Sequence, residues 1–127
     1  MAYDPEMYMA VTSTLYRLFG LVGGPIQVGA LLAAIVLTFL VRRRPAFRPT
    51  LIGTLGLALS LGLWAALVAP VNAEWAEALR AGPASAPAAY LELRPRWEYG
   101  HVAAFAAWSA GFAVLLYSVV REVPADR

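Results

Sequence analysis

Long uncharged stretches alternate along this chain with short segments that hold its charged residues. Three stretches, residues 18–41, 49–73 and 102–120, contain no Asp, Glu or Arg, and the chain has no Lys. Each is close to or above the roughly 20 residues that an apolar helix needs to cross the hydrocarbon of a bilayer. The pattern therefore predicts three transmembrane helices, at about residues 18–41, 50–70 and 100–120.

The first helix is predicted to begin well before its uncharged stretch. Asp4 is a favourable N-cap residue, and Pro5 suits the first turn of a helix. An unbroken helix from there to residue 41 would be about 55 Å long, which exceeds one upright span. We expect the Gly-Gly-Pro at residues 23–25 to break or kink it, because proline removes a backbone donor and crowds the preceding turn. The residues up to about 20 then form an N-terminal outer helical segment.

Basic residues cluster between the first two predicted spans. Four arginines lie within residues 42–48. Loops rich in Arg stay on the cytoplasmic side of a membrane, so this loop is predicted to be inside. The N-terminus, with the acidic Asp4 and Glu6, is then outside, and three crossings place the C-terminus inside.

Residues 71–99 are predicted to form an outer cap between the second and third spans. Asn72 is predicted either to cap a short helix that ends near residue 81 or to hold a substrate oxygen. The Ala/Pro-rich residues 81–89 indicate a loop, and Pro95 suits the first turn of the last helix.

Composition agrees with a membrane protein. The chain is 61% hydrophobic and 14% charged, whereas a soluble domain is about 45–50% apolar and about 25% charged. We predict one all-α integral membrane domain over residues 1–127, with three transmembrane helices, the N-terminal outer segment and a short extracytoplasmic helix in a four-helix-bundle-like arrangement. The net charge of +2 and the scattered arginines exclude a nucleic-acid footprint, and the absence of Cys excludes disulfide and thiolate chemistry.

Candidate chemistry is concentrated at the predicted mouth of the last helix. Glu98 and the only histidine of the chain, His101, lie three residues apart, which places them on one face of a helix. An imidazole held by a carboxylate can act as a general base, so these two are the predicted catalytic residues. The alternative is that His101 only anchors the helix end at the membrane interface.

The same residues allow a metal-site interpretation. Glu98-x-x-His101 is half of a di-iron carboxylate motif, and Glu74 and Glu77 are available as extra ligands. A complete site would need those acids or a second chain. The sequence therefore predicts no metal and no cofactor, with iron or haem at His101 as the alternatives.

Seven further residues are predicted to bind a substrate near this site. They are Trp75, Trp97 and Phe105, which offer rings, and Asn72, Arg94, Arg96 and Gln27, which offer polar groups. Two alternatives remain open: Arg94 and Arg96 can pair with neighbouring glutamates, and the aromatic stripe that includes Phe105 can face lipid.

Small residues line the opposite side of the last helix. Ala103, Ala107 and Gly111 recur every four residues, and this spacing lets two membrane helices approach closely. Because three spans are few for enclosing a pocket, the sequence predicts a homo-oligomer.

Several short motifs resemble a known family. The Pro-Val-Asn at residues 70–72 ends an apolar stretch, and Arg-x-Arg-Trp-Glu-x-Gly-His at residues 94–101 precedes the last span. Together with the arginine-rich residues 42–48, these motifs resemble a bacterial membrane family of uncharacterised proteins that is grouped with fungal anthrone oxygenases.

The resemblance implies a multi-pass protein of the bacterial inner membrane, with the lipid bilayer and a hydrophobic small molecule as partners. It implies an oxygenase-like enzyme that acts on a hydrophobic aromatic or quinone-like substrate, in the manner of a cofactor-independent anthrone oxygenase. Family members usually have four spans, whereas this chain has three clear ones. The alternative is a non-catalytic small membrane subunit or scaffold, or a metal- or haem-binding membrane protein.

Overall fold

A computed structural model describes residues 4–122, with all of their side chains except those of residues 16 and 17. Every element in this part of the chain is helical, which confirms the predicted all-α class. The elements are α1 (Pro5–Leu40), α2 (Phe47–Leu63), a π-helical turn (Trp64–Val68), α3 (Ala69–Ala81), a 3-10 turn (Pro83–Ser85) and α4 (Ala86–Glu122). Three stretches are long and apolar enough to cross a membrane, namely Leu18–Leu40, Phe47–Ala81 and Pro83–Glu122.

Helix α1 begins where predicted and continues through residues 23–25. Its N-cap, Asp4, accepts a hydrogen bond from the backbone N–H of Met7 at 3.4 Å. The helix is not broken at this point, because Pro25 lies inside it, and the alternative of a kink stays a prediction. Gly24 has no Cβ to clash with the ring of Pro25, so the helix can continue through this position. In apolar surroundings the backbone N–H and C=O groups find hydrogen-bond partners only within the helix, which also favours its continuation. The helix is therefore about 54 Å long, and its first turns extend beyond the uncharged stretch.

The second span also continues past its predicted end at Pro70, because α2, the π-helical turn and α3 follow one another without a loop. The backbone N–H of Ala69 donates to the carbonyl of Trp64, five residues earlier. Such a widened turn makes room for Pro70, which has no N–H and whose ring crowds the carbonyl four residues before it. Asn72 consequently lies inside α3, and the prediction that it caps a helix is wrong.

The predicted loop at residues 81–89 is much shorter in the structure. Helix α3 ends at Gly82, which has a φ of 90° that favours glycine, and α4 begins at Ala86. Helix α4 runs through Pro95, so the prediction that the last helix starts there is wrong. Residues on both sides of Pro95, including Leu93 and Gly100, are buried against other helices, and this packing outweighs the one lost hydrogen bond.

The small-residue face of α4 packs against α2 of the same chain. A Cβ added at Gly111 would lie 2.8 Å from the carbonyl oxygen of Gly53 and 2.9 Å from the backbone nitrogen of Leu57. One turn away, the hydroxyl of Ser60 donates to the carbonyl of Ala104 at 2.8 Å. The predicted close approach therefore forms within one subunit at Ala107 and Gly111. The homo-oligomer stays a prediction, but this face no longer supports it.

The exposed surface and the interior beside α2 differ from those of a water-soluble bundle. Large apolar side chains cover the outside, whereas most of the buried residues of α2 are small or carry a hydroxyl, and large buried side chains such as Trp75 lie in the outer part. The buried residues of α2 are Thr50, Gly53, Thr54, Leu57 and Ser60. An outside of this kind is stable against hydrocarbon and unstable against water, which is consistent with a membrane protein.

Side-chain contacts define two ends of the bundle. At the end that the sequence predicts to be cytoplasmic, here named the inner end, Arg44 of the turn between α1 and α2 pairs with Glu122 of α4 at 3.2 Å. The opposite end is named the outer end. At the outer end, Met9 of α1 packs in one buried cluster with Trp75 of α3 and Leu93 of α4. The turn of residues 42–48 and the end of α4 thus lie together, opposite the N-terminal turns, which is the arrangement that the three predicted crossings require.

Candidate functional site

Most of the predicted site residues lie where α1, α3 and α4 come together at the outer end. The buried cluster of this region comprises Met9, Val71, Trp75, Ala86, Ala89 and Leu93, with Tyr8, Ala78 and Trp97 packed against it. The lower edge of the cluster adjoins the π-helical turn, where Gly100 lies close to Leu67 and Val68. A π-helical turn changes the direction of the residues that follow it, and here it turns Asn72 and Trp75 towards α4.

A chain of hydrogen bonds connects three of the predicted residues. The indole Nε1 of Trp97 donates to the side-chain oxygen of Asn72 at 2.9 Å. The Nδ1 of His101 lies 2.9 Å from the carbonyl oxygen of Trp97, and the two rings are 4.1 Å apart between centroids. Asn72 of α3 is thereby joined to His101 of α4 through Trp97.

Glu98 has a different partner from the one predicted. Its carboxylate accepts a hydrogen bond from Nε of Arg94 at 2.7 Å, one helical turn earlier. Within the part of the chain that the structure describes, no hydrogen bond joins Glu98 to His101. The side chain four residues away is the better-placed neighbour on a helix, and a guanidinium is the stronger partner for a carboxylate. The prediction that Glu98 orients the imidazole is therefore not supported.

Arg94 is surrounded by aromatic rings as well as by Glu98. It donates to the hydroxyl of Tyr90, and its guanidinium carbon lies 5.1 Å from the Tyr90 ring and 5.6 Å from the Tyr8 ring. Tyr8 also packs edge-on against Tyr90 at 5.2 Å and tilted against Trp75 at 5.8 Å. The guanidinium thus joins the first turns of α1 to α4 by cation–π contact as well as by charge.

Tyr8 is a site residue that the sequence reading missed. Burial, followed by the negative charge of Glu98, raises the pKa of the Tyr8 hydroxyl above its ordinary value of 10.0. The phenol is therefore neutral over the physiological range. The alternation of Tyr and Met in the first turns of α1 was the sequence feature that could have pointed to Tyr8. Only tertiary packing, however, places those turns beside residues more than 60 positions away.

Arg96 forms a bidentate ion pair at this end. Its two terminal nitrogens donate to the two carboxylate oxygens of Glu74 at 2.6 and 2.7 Å, and Glu92 lies 3.9 Å away. Both predicted substrate-binding arginines are thus ion-paired, which is the alternative left open by the sequence. The bidentate pair ties α3 to α4 on the side of the cluster that faces out.

A cavity of about 170 Å³ lies between the first turns of α1 and α3. Its walls are formed by Met9, Thr12, Ser13, Asn72, Trp75, Ala76 and Leu79. Two predicted substrate-binding residues, Asn72 and Trp75, are among them. The indole nitrogen of Trp75 is buried and makes no hydrogen bond to any of the residues that the structure describes, which is an unusual state for a buried donor.

Two predicted binding residues lie away from this region. Phe105 is 67% exposed on α4, so the aromatic stripe faces outward there, which is the alternative left open by the sequence. Gln27 is half-buried in α1, in a stretch whose neighbouring glycines have open space around them. The structure does not bring either residue to the cavity.

Among residues 4–122, no three side chains of the His, Cys, Asp and Glu types are grouped as metal ligands. Glu74 is paired with Arg96, and Glu98 with Arg94, so two of the three acids considered as iron ligands have other partners. In comparisons with known proteins, the chain matches no family model, no curated protein and no solved structure.

Proposed function

We propose that this chain is a membrane-embedded, oxygenase-like enzyme that acts on a hydrophobic aromatic or quinone-like substrate at the outer end of the bundle. The three apolar spans, the large apolar side chains on the exposed surface and the motifs at residues 70–72 and 94–101 support this proposal. In the proposed orientation the turn of residues 42–48 faces the cytoplasm of a bacterium and the site faces the outside.

The hydrogen bond of His101 is the observation that carries the proposal. A carbonyl oxygen can only accept, so the nitrogen next to it, Nδ1, carries a proton. In the neutral imidazole the basic lone pair then belongs to Nε2. The carbonyl of Trp97, on the same helix, sets the tautomer. The indole of Trp97, which is held by Asn72 of α3, packs against the imidazole and supports its position.

The proposed reaction uses this base on an acidic ring methylene such as that of an anthrone. Nε2 of His101 takes the proton, and the electron pair of the broken C–H bond forms a C–O bond with dioxygen. The imidazolium returns the proton to the resulting peroxide, which loses water to leave the quinone. One anthrone and one dioxygen thus give one quinone and one water, and the protein ends in its starting state. A general base of this kind typically contributes roughly 10²–10⁴-fold to the rate.

The cavity beside Asn72 and Trp75 is the proposed position of the substrate rings. Its walls are mostly apolar, and its polar members, Thr12, Ser13 and Asn72, offer partners for a carbonyl or hydroxyl group. Asn72 joins this cavity to the Trp97–His101 pair. An apolar cavity of about 150 Å³ accommodates a benzene ring, so the volume suits one ring of a larger flat substrate.

One observation favours the alternative of a non-catalytic membrane subunit. At the outer end, Glu98 is paired with Arg94 and Arg96 with Glu74. These ion pairs stabilise the helices and their packing, and a scaffold requires no more of its charged residues. The two functions differ in what they require of His101. A scaffold has no turnover to lose when His101 is replaced, whereas the turnover of the enzyme depends on this residue.

The test is the conversion of a panel of anthrones and hydroquinones, with and without oxygen, by purified variants. We expect His101→Ala to lose roughly 10²–10⁴-fold in turnover while its melting temperature stays near that of the wild type. Tyr99→Phe is the matched control, because Tyr99 lies on the same helix and is 76% exposed. Equal rates in the wild type and His101→Ala, or no conversion by the folded wild type, would reject the enzyme in favour of the scaffold.

A further inference from the structure

The inner end of the protein carries a concentrated positive charge. In the described residues it holds five arginines, four in residues 42–48 and Arg121 at the end of α4, and one carboxylate, Glu122, which leaves a formal charge of +4. The outer end has no such excess, because Arg94 and Arg96 are paired with Glu98 and Glu74. The two ends of the bundle therefore differ strongly in electrostatic potential.

Contacts of Glu122 fix the shape of the charged turn. Its carboxylate accepts from Arg44 at 3.2 Å and from the backbone N–H of Ala46, the residue before α2, at 3.4 Å. The turn is closed further by the backbone bond from Phe47 to the carbonyl of Arg44 at 3.0 Å. Arg44 is thereby neutralised, and its neighbours are presented on a turn that is tied to the end of α4.

The other arginines of the turn remain exposed. Arg42 donates to the carbonyl of Phe39 at 2.9 Å, which holds its guanidinium at the last turn of α1, and Arg43 and Arg48 are exposed as well. Their guanidinium groups offer the planar, multiple donors that suit a phosphate.

Exposed apolar side chains adjoin the charged turn. Phe39 and Leu40, directly before the arginines, are 66% and 69% exposed, and Val120 at the end of α4 is 69% exposed. A soluble anion would contact only the arginines of such a surface. A phosphate-bearing amphiphile contacts both the arginines and the apolar side chains, because its phosphate binds the guanidinium groups while its acyl chains cover the apolar side chains.

We propose that the inner end is a binding surface for anionic phospholipid. Arg42, Arg43 and Arg48 would contact the phosphate of the headgroup, and the acyl chains would lie along Phe39 and Leu40. Clusters of basic residues next to a membrane span are attracted to anionic leaflets, with each arginine strengthening binding roughly fivefold. The proposal rests on the three helices spanning a bilayer and is independent of any activity at the outer end.

The experiment compares phosphatidylglycerol with phosphatidylcholine, added at equal mole fraction to the full chain in neutral detergent. Binding is counted by native mass spectrometry, and the rise in melting temperature is followed in parallel. We expect the wild type to prefer phosphatidylglycerol, Arg43→Gln to weaken that preference roughly fivefold, and Arg42→Gln/Arg43→Gln/Arg48→Gln to weaken it on the order of 100-fold. Arg80→Gln is the control, because Arg80 is an exposed arginine at the other end of the bundle.

The melting temperature without added lipid shows whether each variant is folded, and Arg43→Gln alone carries the test if the triple variant is not. Inorganic phosphate at the same concentration separates a lipid from a free anion. An unchanged lipid preference in Arg43→Gln, an equal loss in Arg80→Gln, or equal stabilisation by inorganic phosphate would each overturn the proposal. Association of the wild type with purely zwitterionic vesicles tests membrane insertion separately from the preference for anionic lipid.

Discussion

The inner and outer halves of this bundle are held together by different kinds of contact. In the inner half, glycine backbones of α2 and α4 lie against each other, and Thr38 of α1 meets Thr54 of α2 with 2.9 Å between their hydroxyl oxygens. In the outer half, large aromatic and charged side chains such as Trp97 and Arg96 bridge the helices. The difference explains why the candidate site lies in the outer half. Backbone-to-backbone packing leaves no space for a ligand, whereas bridging side chains leave a cavity and place polar groups beside it.

The largest effect is expected from adding a single methyl group to the inner half. Gly111→Ala places its Cβ 2.8 Å from the carbonyl oxygen of Gly53 and 3.0 Å from the carbonyl carbon of Gly56, and backbone atoms cannot rotate away. Overpacking of this kind costs about 1–3 kcal/mol, so the helix pair is expected to separate or loosen. Unfolding in a denaturing detergent measures the loss.

Gly62→Ala is the matched control on α2, because a Cβ at Gly62 meets nothing within 4 Å. Alanine is the better helix former, so this variant is expected to be neutral or slightly stabilised. Equal losses in Gly111→Ala and Gly62→Ala would show that α2 and α4 do not pack as described.

A smaller effect is expected from the hydroxyl contact between α1 and α2. Thr54→Val keeps the shape of the side chain and removes its bonds to Thr38 and to the carbonyls of Ala34 and Thr50. Bonds between membrane helices contribute about 0.6 kcal/mol on average, and Thr38 retains its own bond to Ala34 at 2.8 Å. The same unfolding assay, with Thr14→Val as the control on the exposed side of α1, measures the difference. A loss as large as that of Gly111→Ala would mean that hydroxyl bonds, not close packing, dominate the inner half.

The smallest effect is expected from Tyr8 in the outer half, and it depends on pH. Because burial raises the pKa of Tyr8 in the folded state above 10.0, the unfolded state loses its proton first as pH rises. The contribution of Tyr8 to stability is therefore complete below pH 10 and declines above it. Tyr8 is half-exposed, so solvent screening keeps the decline small. Melting temperatures at pH 9 and pH 11 should fall less in Tyr8→Phe than in the wild type, and parallel curves would argue against the burial of this hydroxyl.

The sequence by itself determined the all-helical class, the three apolar stretches and the separation of the Arg-rich turn from the outer end. These follow from the length of the uncharged stretches and from the positions of charge, which are local properties of the chain. The start of α1 at Asp4 was predictable for the same reason, because an N-cap acts within three residues.

Only the tertiary structure decided what the prolines and the polar outer residues do. Pro25, Pro70 and Pro95 lie within helices or at a widened turn rather than at their ends, because packing and the lack of other partners for the backbone outweigh one missing hydrogen bond. Glu98 pairs with Arg94, four residues away, although His101 is only three residues away, because the two side chains compete for one carboxylate and the guanidinium is the stronger donor. Tyr8 reaches Tyr90 because α2 and α3 return the chain to the outer end, so that α4 begins beside the first turns of α1. No local pattern contains a contact between residues so far apart.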